Sequence, residues 1–304
     1  RTAVPNDPDQ EEPLHVLIPY WGDPALLDAT MASVLSQTDP RWRVTIVDDG
    51  YPDPAARQTY ATHADPRVEY VRNEANLGIA GNFEKCRTLA TGRLAMFLGC
   101  DDLLHDDFVA TIWRHHHAHP DVEMIQVGVR VVDGAGQPSN GLADRVKALI
   151  RPKISAPTVL GGETLAASLL SGNWLYWPSL VFRVDALAPR SFRADLPIIL
   201  DLALIMDAVA AGNRLLLVPE ICFDYRRHDA SASSLALLQG DRLADERRWF
   251  GEVATALASR GWSRAARAAR VHWTSRLHAV SLLPTALRSR SRRATARVLR
   301  HVMT

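Results

Sequence analysis

The sequence predicts an α/β domain with a mainly parallel central sheet, helices on both faces, and a helical extension at its C-terminal end. Three observations predict it. Short apolar runs of strand length alternate, at the interval of βαβ units, with stretches whose apolar residues recur at helical spacing. Two of those runs, VTIVDDG and FLGCDDLLHDDF, end in the paired acids Asp48 and Asp49 and Asp101 and Asp102, as strands do when they deliver side chains to one sheet edge. Beyond Ser234 the strand pattern stops and helical periodicity takes over, broken at Gly261 and Pro284.

Leu14 to Pro19 is a compact apolar strand, followed by a helix over Pro24 to Gln37, with Pro24 suited to a first turn that needs no N–H. Trp42 to Val47 is the second strand, Pro54 to His63 a short helix, and Val68 to Val71 the third strand. Ile79 to Ala90 reads as a helix closed by Gly92, Leu94 to Leu98 as the fourth strand, and Asp107 to His119 as a helix stopped by Pro120. Met124 to Val132 is the fifth strand. Asp133 to Thr158 breaks the rhythm: Gly134, Gly136, Pro138, Gly141, Pro152 and Pro157 predict a long functional loop or insertion. Gly162 to Ser171 is a helix, Asn173 to Arg183 (NWLYWPSLVFR) an aromatic-rich strand region, and Ile199 to Ala211 a helix ended by Gly212. Arg214 to Tyr225 reads as a strand or two interrupted by Pro219, and three helices follow over Leu235 to Ser259, Ser263 to Leu283 and Thr285 to Met303.

With 304 residues and 47% hydrophobic content the chain has material for a substantial core. The expected division is a polar, Pro-rich disordered leader over 1–13, the sheet domain over 14–234 and a basic helical region over 235–304. A formal charge of +1 conceals an asymmetry, because Glu252 is the last acid and eleven arginines follow it. Lysine, by contrast, occurs only at Lys85, Lys147 and Lys153, which fits a GC-rich genome. Cys86, Cys100 and Cys222 contain no CxxC pair and are odd in number, which predicts reduced thiols and a cytoplasmic protein. The opening residues show no export signal, and no uninterrupted apolar run reaches the roughly 18 residues of a membrane span.

An Asp-Asp pair alone means little, since turns after strands are rich in Asp for backbone reasons. Position at two strand ends is the signal. No GxGxxG follows the first strand and no GxxxxGK[ST] occurs anywhere, so neither glycine-rich phosphate cradle is present. A bound nucleotide would then need a divalent cation, Mg²⁺ or Mn²⁺, on the strand-end carboxylates to offset its phosphate charge.

Seven pieces in order, IPYW (Ile18 to Trp21), ASVLSQT (Ala32 to Thr38), VDDG (Val47 to Gly50), NLGIAGN (Asn76 to Asn82), FLGCDD (Phe97 to Asp102), ILDLAL (Ile199 to Leu204) and YRRHDASAS (Tyr225 to Ser233), give the chain a resemblance. It resembles a family 2 glycosyltransferase of the GT-A, Rossmann-like fold. The resemblance implies that Pro19, Tyr20 and Trp21 pack on a nucleobase, that Asp49 hydrogen-bonds its edge, and that Asn76, Gly78 and Asn82 line the nucleotide. It also implies that Asp101 lies nearer the ribose or sugar and that Asp102 ligates Mn²⁺ or Mg²⁺. Gly99 stands where the family's common form has an acid, so the division of labour between Asp101 and Asp102 stays open. His228 matches a position near the diphosphate or the metal; the plainer reading of a lone His is a hydrogen-bonded structural residue.

An inverting single displacement needs a carboxylate near the acceptor hydroxyl to take its proton. The acid of ILDLAL, Asp201, matches that base, with Leu200 where the family has a further acid; Asp195 and Asp207 are rivals. Arg226, Arg227 and Ser231 to Ser234 read either as a flap over the phosphates or as an ordinary polar loop. Trp174, Tyr176 and Trp177 read either as stacking surfaces for acceptor sugars, Trp174 foremost, or as core. His115, His116, His117 and His119 look metal-like, but consecutive histidines on one helix diverge, and a solvated helix end is the better reading. The arginine-rich tail either lies on an anionic membrane surface or packs back on the catalytic domain or on a second subunit; no nucleic-acid motif accompanies it.

The expected function is therefore metal-dependent, inverting transfer of a sugar from a UDP or dTDP donor to a hydroxyl of a glycan or lipid-linked glycan in cell-envelope polysaccharide assembly. The expected location is the cytoplasm, with peripheral contact at the inner face of the membrane. Two other classes remain as alternatives: a non-catalytic, glycan-binding degenerate transferase, and a sugar nucleotidyltransferase, which would need a Gly-rich basic loop that IPYWGDP lacks.

Overall fold

The structure, a computed structural model, describes residues 12–139, 141–227 and 242–277. In chain order the elements are β1 (Leu14–Tyr20), α1 (Pro24–Leu35), β2 (Trp42–Asp48), α2 (Ala55–Tyr60), β3 (Val68–Arg72), α3 (Gly78–Leu89), β4 (Leu94–Phe97) and β5 (Leu103–Leu104). There follow α4 (Phe108–Ala118), β6 (Met124–Val132), α5 (Leu142–Ile150), β7 (Thr158–Leu160), α6 (Gly162–Ser171) and, after a 3₁₀ turn at Trp177–Ser179, β8 (Leu180–Arg183) and α7 (Val184–Leu187). The last are α8 (Leu200–Ala210), β9 (Leu215–Arg226), α9 (Arg242–Ser259) and α10 (Ser263–Val271).

All nine strands form one sheet in the order β3-β2-β1-β4-β8-β6-β9-β5, with β7 also paired to β9. The β3-β2-β1-β4 half is parallel throughout. In the other half β8 runs antiparallel to both β4 and β6, while β6 and β9 are parallel. β1 is buried on both faces, as a central parallel strand must be. Its Val16, Ile18 and Tyr20 enter one apolar cluster with Trp42, Phe108 and Trp113, and Leu17 enters the other with Phe97, Trp174 and Phe182. The sheet thus separates two cores, and its parallel strands end along one edge.

Three sequence expectations need correction, and one short strand was not expected. Asp133 to Thr158 is not an irregular insertion, because it contains α5; glycine and proline at its borders concealed a nine-residue helix. Of Asn173 to Arg183 only Leu180–Arg183 is strand, and the aromatic part turns through the 3₁₀ segment. The histidines of α4 are a solvated helix end only in part: His117 is exposed and His119 partly exposed, but His115 and His116 are buried, and His115 Nε2 lies 3.1 Å from Glu220 Oε1. The two-residue β5, paired with β9, was too short to register as a pattern.

The C-terminal helices pack back on the sheet domain over their described length. Trp249, Phe250, Ala254 and Leu257 of α9 and Ala265, Ala266 and Ala269 of α10 join the cluster holding Leu165 and Leu169 of α6. Glu163 Oε1 accepts from the N–H groups of Arg264 and Ala265, at 2.6 and 3.3 Å, and so caps the start of α10. Among the described residues no helix is long and apolar enough to cross a membrane. The leader up to residue 11 and the residues from 278 onward lie outside the described residues; the membrane reading rests on the whole acid-free stretch after Glu252, of which 253–277 are described.

A buried relay under β1 makes the fold acid-sensitive. His15 is 2% exposed, and its Nδ1 accepts from the Thr91 N–H (3.2 Å) and from Arg43 Nη2 (2.9 Å). The proton therefore sits on Nε2 and is donated to Thr45 Oγ1 at 2.9 Å, while Thr45 donates to Glu69 Oε2 at 2.9 Å. Burial first, and the Arg43 charge second, lower the His15 pKa to about 3. An unfolded histidine titrates near 6.5. The unfolded chain thus binds the extra proton between those values, and stability falls there by about 1.4 kcal/mol per pH unit as pH drops. Denaturant midpoints measured at pH 7.5 and pH 5 should separate more widely for the wild type than for His15→Gln; equal separations would show that His15 is not the acid-sensitive group.

Candidate active site

Two loops at the strand-end edge, those after β2 and β4, carry the paired acids. Asp48 is buried and faces inward, accepting from the Tyr51 N–H at 2.8 Å and from the Tyr70 hydroxyl and the Arg72 guanidinium of β3. Asp49, also buried, accepts from Asn73 Nδ2 (2.9 Å) and from the N–H groups of Leu77 (2.7 Å) and Gly78 (2.9 Å). Gly78 has φ +73°, a left-handed conformation in which a side chain is strained, and this lets its N–H reach Asp49 at the start of α3. Asn76 is exposed and its Oδ1 accepts from the same Gly78 N–H at 2.9 Å. Asn82 lies beneath this loop: it is 4% exposed, donates to Val47 O at 3.0 Å and accepts from Asn73 at 3.0 Å.

At the end of β1, Pro19 is partly exposed and Tyr20 is buried, its hydroxyl donating to Gly22 O at 2.8 Å. Trp21 is 50% exposed and meets Tyr51 edge-on at 5.2 Å between ring centroids. Leu77 and Ile79, also exposed, lie on the loop that Asp49 organises. The edge therefore presents apolar and aromatic surface beside fixed backbone polar groups, the composition of a site for a flat heterocycle.

After β4 the chain folds into a tight turn in which the Asp102 N–H donates to Gly99 O at 3.2 Å, and Thr30 of α1 holds Asp102 O at 2.8 Å. Asp102 is 1% exposed; its Oδ1 accepts from the Arg226 N–H at 2.9 Å, while its Oδ2 is buried with no hydrogen-bond partner among the described residues. A Cβ on Gly99 would stand 2.5 Å from Asp102 Oδ2 and 2.9 Å from Asp101 Oδ1. Both carboxylates converge on the space that a side chain at Gly99 would fill. Burial first, and the Asp101 charge second, push the Asp102 carboxyl well above the usual carboxylate range. Convergent hard oxygens, one of them buried and unsatisfied, fit a divalent cation such as Mn²⁺ or Mg²⁺. No group of three or more acid, His or Cys ligands occurs among the described residues; His228, the expected further ligand, and Ser231 to Ser234 lie outside them.

Asp201 sits in the first turn of α8 and accepts from Asn173 Nδ2 at 3.4 Å. Burial raises its pKa, opposed by the Leu202 N–H and by the positive charge of Lys147. Lys147, on α5, donates to Leu175 O at 2.6 Å and lies 4.3 Å from the centre of the Tyr176 ring. The rivals are placed elsewhere. Asp195 is tied to Arg193 (2.7 Å) and Arg248 (3.0 Å) in a surface network, and Asp207 faces Arg193 and Arg190. Trp174 is fully buried with its Nε1 donating to Ser168 Oγ at 3.0 Å, and Trp177 stacks on Phe97 at 5.4 Å, so both are core. Tyr176 donates to Asp144 Oδ1 at 3.1 Å, and Arg227 clamps the same carboxylate through Nη2 (2.8 Å) and Nε (3.2 Å). The Arg226–Arg227 backbone thereby joins Asp102 to the Asp144, Tyr176 and Lys147 group that adjoins Asp201.

Sequence reasoning missed Tyr51, Asp144 and Lys147. Lys147 had one signal, its rarity: it is one of three lysines in the chain. Nothing in the sequence marked Tyr51 or Asp144, whose roles depend on contacts across the fold.

The fold is of the GT-A type. Residues 15–158, just under half of the chain, match the model of the Glycosyl transferase family 2. The chain is 30% identical over 88 residues, covering 29% of this chain and 34% of the other, to WfgD of Escherichia coli, a UDP-Glc:alpha-D-GlcNAc-diphosphoundecaprenol beta-1,3-glucosyltransferase. The structure of S. aureus TarS 1-349 in complex with UDP-GlcNAc superposes with a TM-score of 0.63 at 15% identity, over 81% of this chain and 66% of that one. The mannosyltransferase PcManGT from Pyrobaculum calidifontis, in complex with GDP-Man and Mn2+, gives a TM-score of 0.57 at 16% identity, over 95% of this chain and 79% of that one. This chain thus spans about a third of WfgD and just under two thirds of the TarS fragment.

Proposed function

We propose that the protein transfers a sugar, with inversion, from a UDP or dTDP donor to a hydroxyl of a glycan or lipid-linked glycan used in cell-envelope polysaccharide assembly. The observation that carries this reading is the buried, unsatisfied Asp102 Oδ2 beside Asp101 at the end of β4, joined through β9 to the group that adjoins Asp201. WfgD supports the nucleotide and the acceptor class, and the UDP-GlcNAc complex of TarS supports the donor class.

In this reading Trp21 and Tyr51 pack on the base, and Asp49, with Asn76 and Gly78, shapes the wall that meets the nucleoside. Asn82 supports that wall from below. Asp101 faces the ribose or sugar. Asp102 with His228 would hold Mn²⁺ or Mg²⁺, which when bound neutralises charge on the diphosphate leaving group; PcManGT, solved with Mn2+, supports the assignment. Asp201 accepts the proton of the acceptor hydroxyl as its oxygen attacks the anomeric carbon, and Asn173 orients that carboxylate. Arg226 and Arg227 stand beside the leaving group. The protein works at the inner face of the membrane, with its arginine-rich C-terminal residues as peripheral contact and, as the other use of that region, a second subunit.

A thermal-shift panel of UDP, dTDP, GDP and their sugar conjugates, with and without Mn²⁺, tests the reading. UDP or dTDP with Mn²⁺ should raise the melting temperature, and the matching sugar donor should be slowly hydrolysed. A flat panel together with absent metal-dependent release of nucleoside diphosphate would overturn it.

A further inference from the structure

A cavity of about 450 Å³ opens between α5, β6 and β9, and Lys147, which lines it, also feels the charge of Asp201. The β6–β9 ladder slips at Gly128, where the β9 backbone passes so close that a Cβ on Gly128 would stand 2.8 Å from Glu220 O, and Gly128, Pro219 and Ile221 all line the cavity. Its charge is one-sided. Lys147, Arg151 and Lys153 line it, and its one acid, Asp144, is already engaged by Arg227 and Tyr176. Among the described residues neither Arg151 nor Lys153 pairs with a carboxylate; the Arg151 guanidinium reaches only Val127 O, at 3.5 Å. Arg151 is half-buried and Lys153 exposed, so the cost of a cation without counter-charge falls on Arg151 unless an anion completes it. Burial lowers Lys147 to about 8, with Asp201 and Asp144 opposing and Arg227 adding to the effect; an anion here would hold it charged.

The mouth of the cavity is apolar where it meets solvent. Ile221, which lines it, is 57% exposed. A large exposed apolar side chain beside Arg151 and Lys153 matches a ligand that is anionic at one point and hydrocarbon beyond it.

We propose that this cavity binds the diphosphate group of a lipid-carried acceptor, holding it on Arg151, Lys153 and Lys147 while the glycan reaches toward Asp201. The inference rests on the transferase reading and specifies its acceptor side. Calorimetry on the full chain in EDTA tests it, with inorganic pyrophosphate, farnesyl diphosphate and farnesol as probes, on the wild type and on the Arg151→Ala/Lys153→Ala double variant. Farnesyl diphosphate should bind more tightly than pyrophosphate, farnesol should bind far more weakly, and the double variant should lose at least tenfold in affinity for both anions. Unchanged affinities in the variant would overturn the site, and pyrophosphate binding as tightly as farnesyl diphosphate would overturn the lipid-carried ligand in favour of a free anion. A parallel UDP titration with Mn²⁺ keeps the two readings apart, because UDP binding reports the donor site and the folding of the variant independently of this cavity.

Discussion

Asp201→Asn should lower transfer by about a thousandfold, within the range general-base removal costs, while donor affinity stays near the wild-type value. Asparagine keeps the size of the side chain and an oxygen for Asn173, so the first turn of α8 is undisturbed and only the ability to take a proton is lost. The pH profile adds a second readout. Asp201 must be ionised to act, and burial raises its pKa above the ordinary carboxylate value of 3.8. Turnover of the wild type should accordingly fall with acidification at a pH above that value, and the residual activity of the variant should lack this limb. Lys147→Met removes the nearby cation that opposes the shift, so its acid limb should move further up in pH. Single-turnover kinetics across pH 4 to 8 check all three, and wild-type turnover by Asp201→Asn would remove it from the chemistry.

Asp102→Ala acts on a different step. It deletes the buried oxygen without a partner and the acceptor of the Arg226 N–H together. Donor affinity in the presence of Mn²⁺ should fall at least tenfold, about 1.4 kcal/mol, whereas affinity in EDTA should barely change. The variant's metal dependence, rather than its stability, is the diagnostic. Titration of UDP by calorimetry with and without Mn²⁺ measures it, and equal losses under both conditions would make Asp102 a fold residue only. Removing Mn²⁺ from the wild type should reproduce the variant's affinity.

The parallel half of the sheet was legible because each of its strands is a contiguous apolar run closed by polar turn residues, and burial on both faces demands such runs. The strands around β8 and β9 were harder. Trp174 and Trp177 read as strand or ligand platform because aromatic residues suit both, and only packing against Phe97 and the Ser168 bond decides for core. Helix α5 hid between glycines and prolines. At the candidate site, the sequence located the strand-end acids but not the direction each faces. Asp48 and Asp49 are neighbours of the same type, yet the first is turned to Tyr70 and Arg72 and the second to the 73–78 loop, a distinction made by partners more than twenty residues away. Lys147 belongs to the same category: its position near Asp201 comes from tertiary packing of α5, not from any local motif.

β9 acts as a caliper. From Ile221 in the cavity wall to Arg226, whose N–H holds Asp102, the strand advances five residues, about 17 Å at the rise of extended backbone. With the phosphate on the proposed cavity and the donor at Asp102, the gap between them is set by a strand paired to β6 rather than by a loop. The proposal therefore carries a length rule: saccharides too short to cross that gap should bind without reacting.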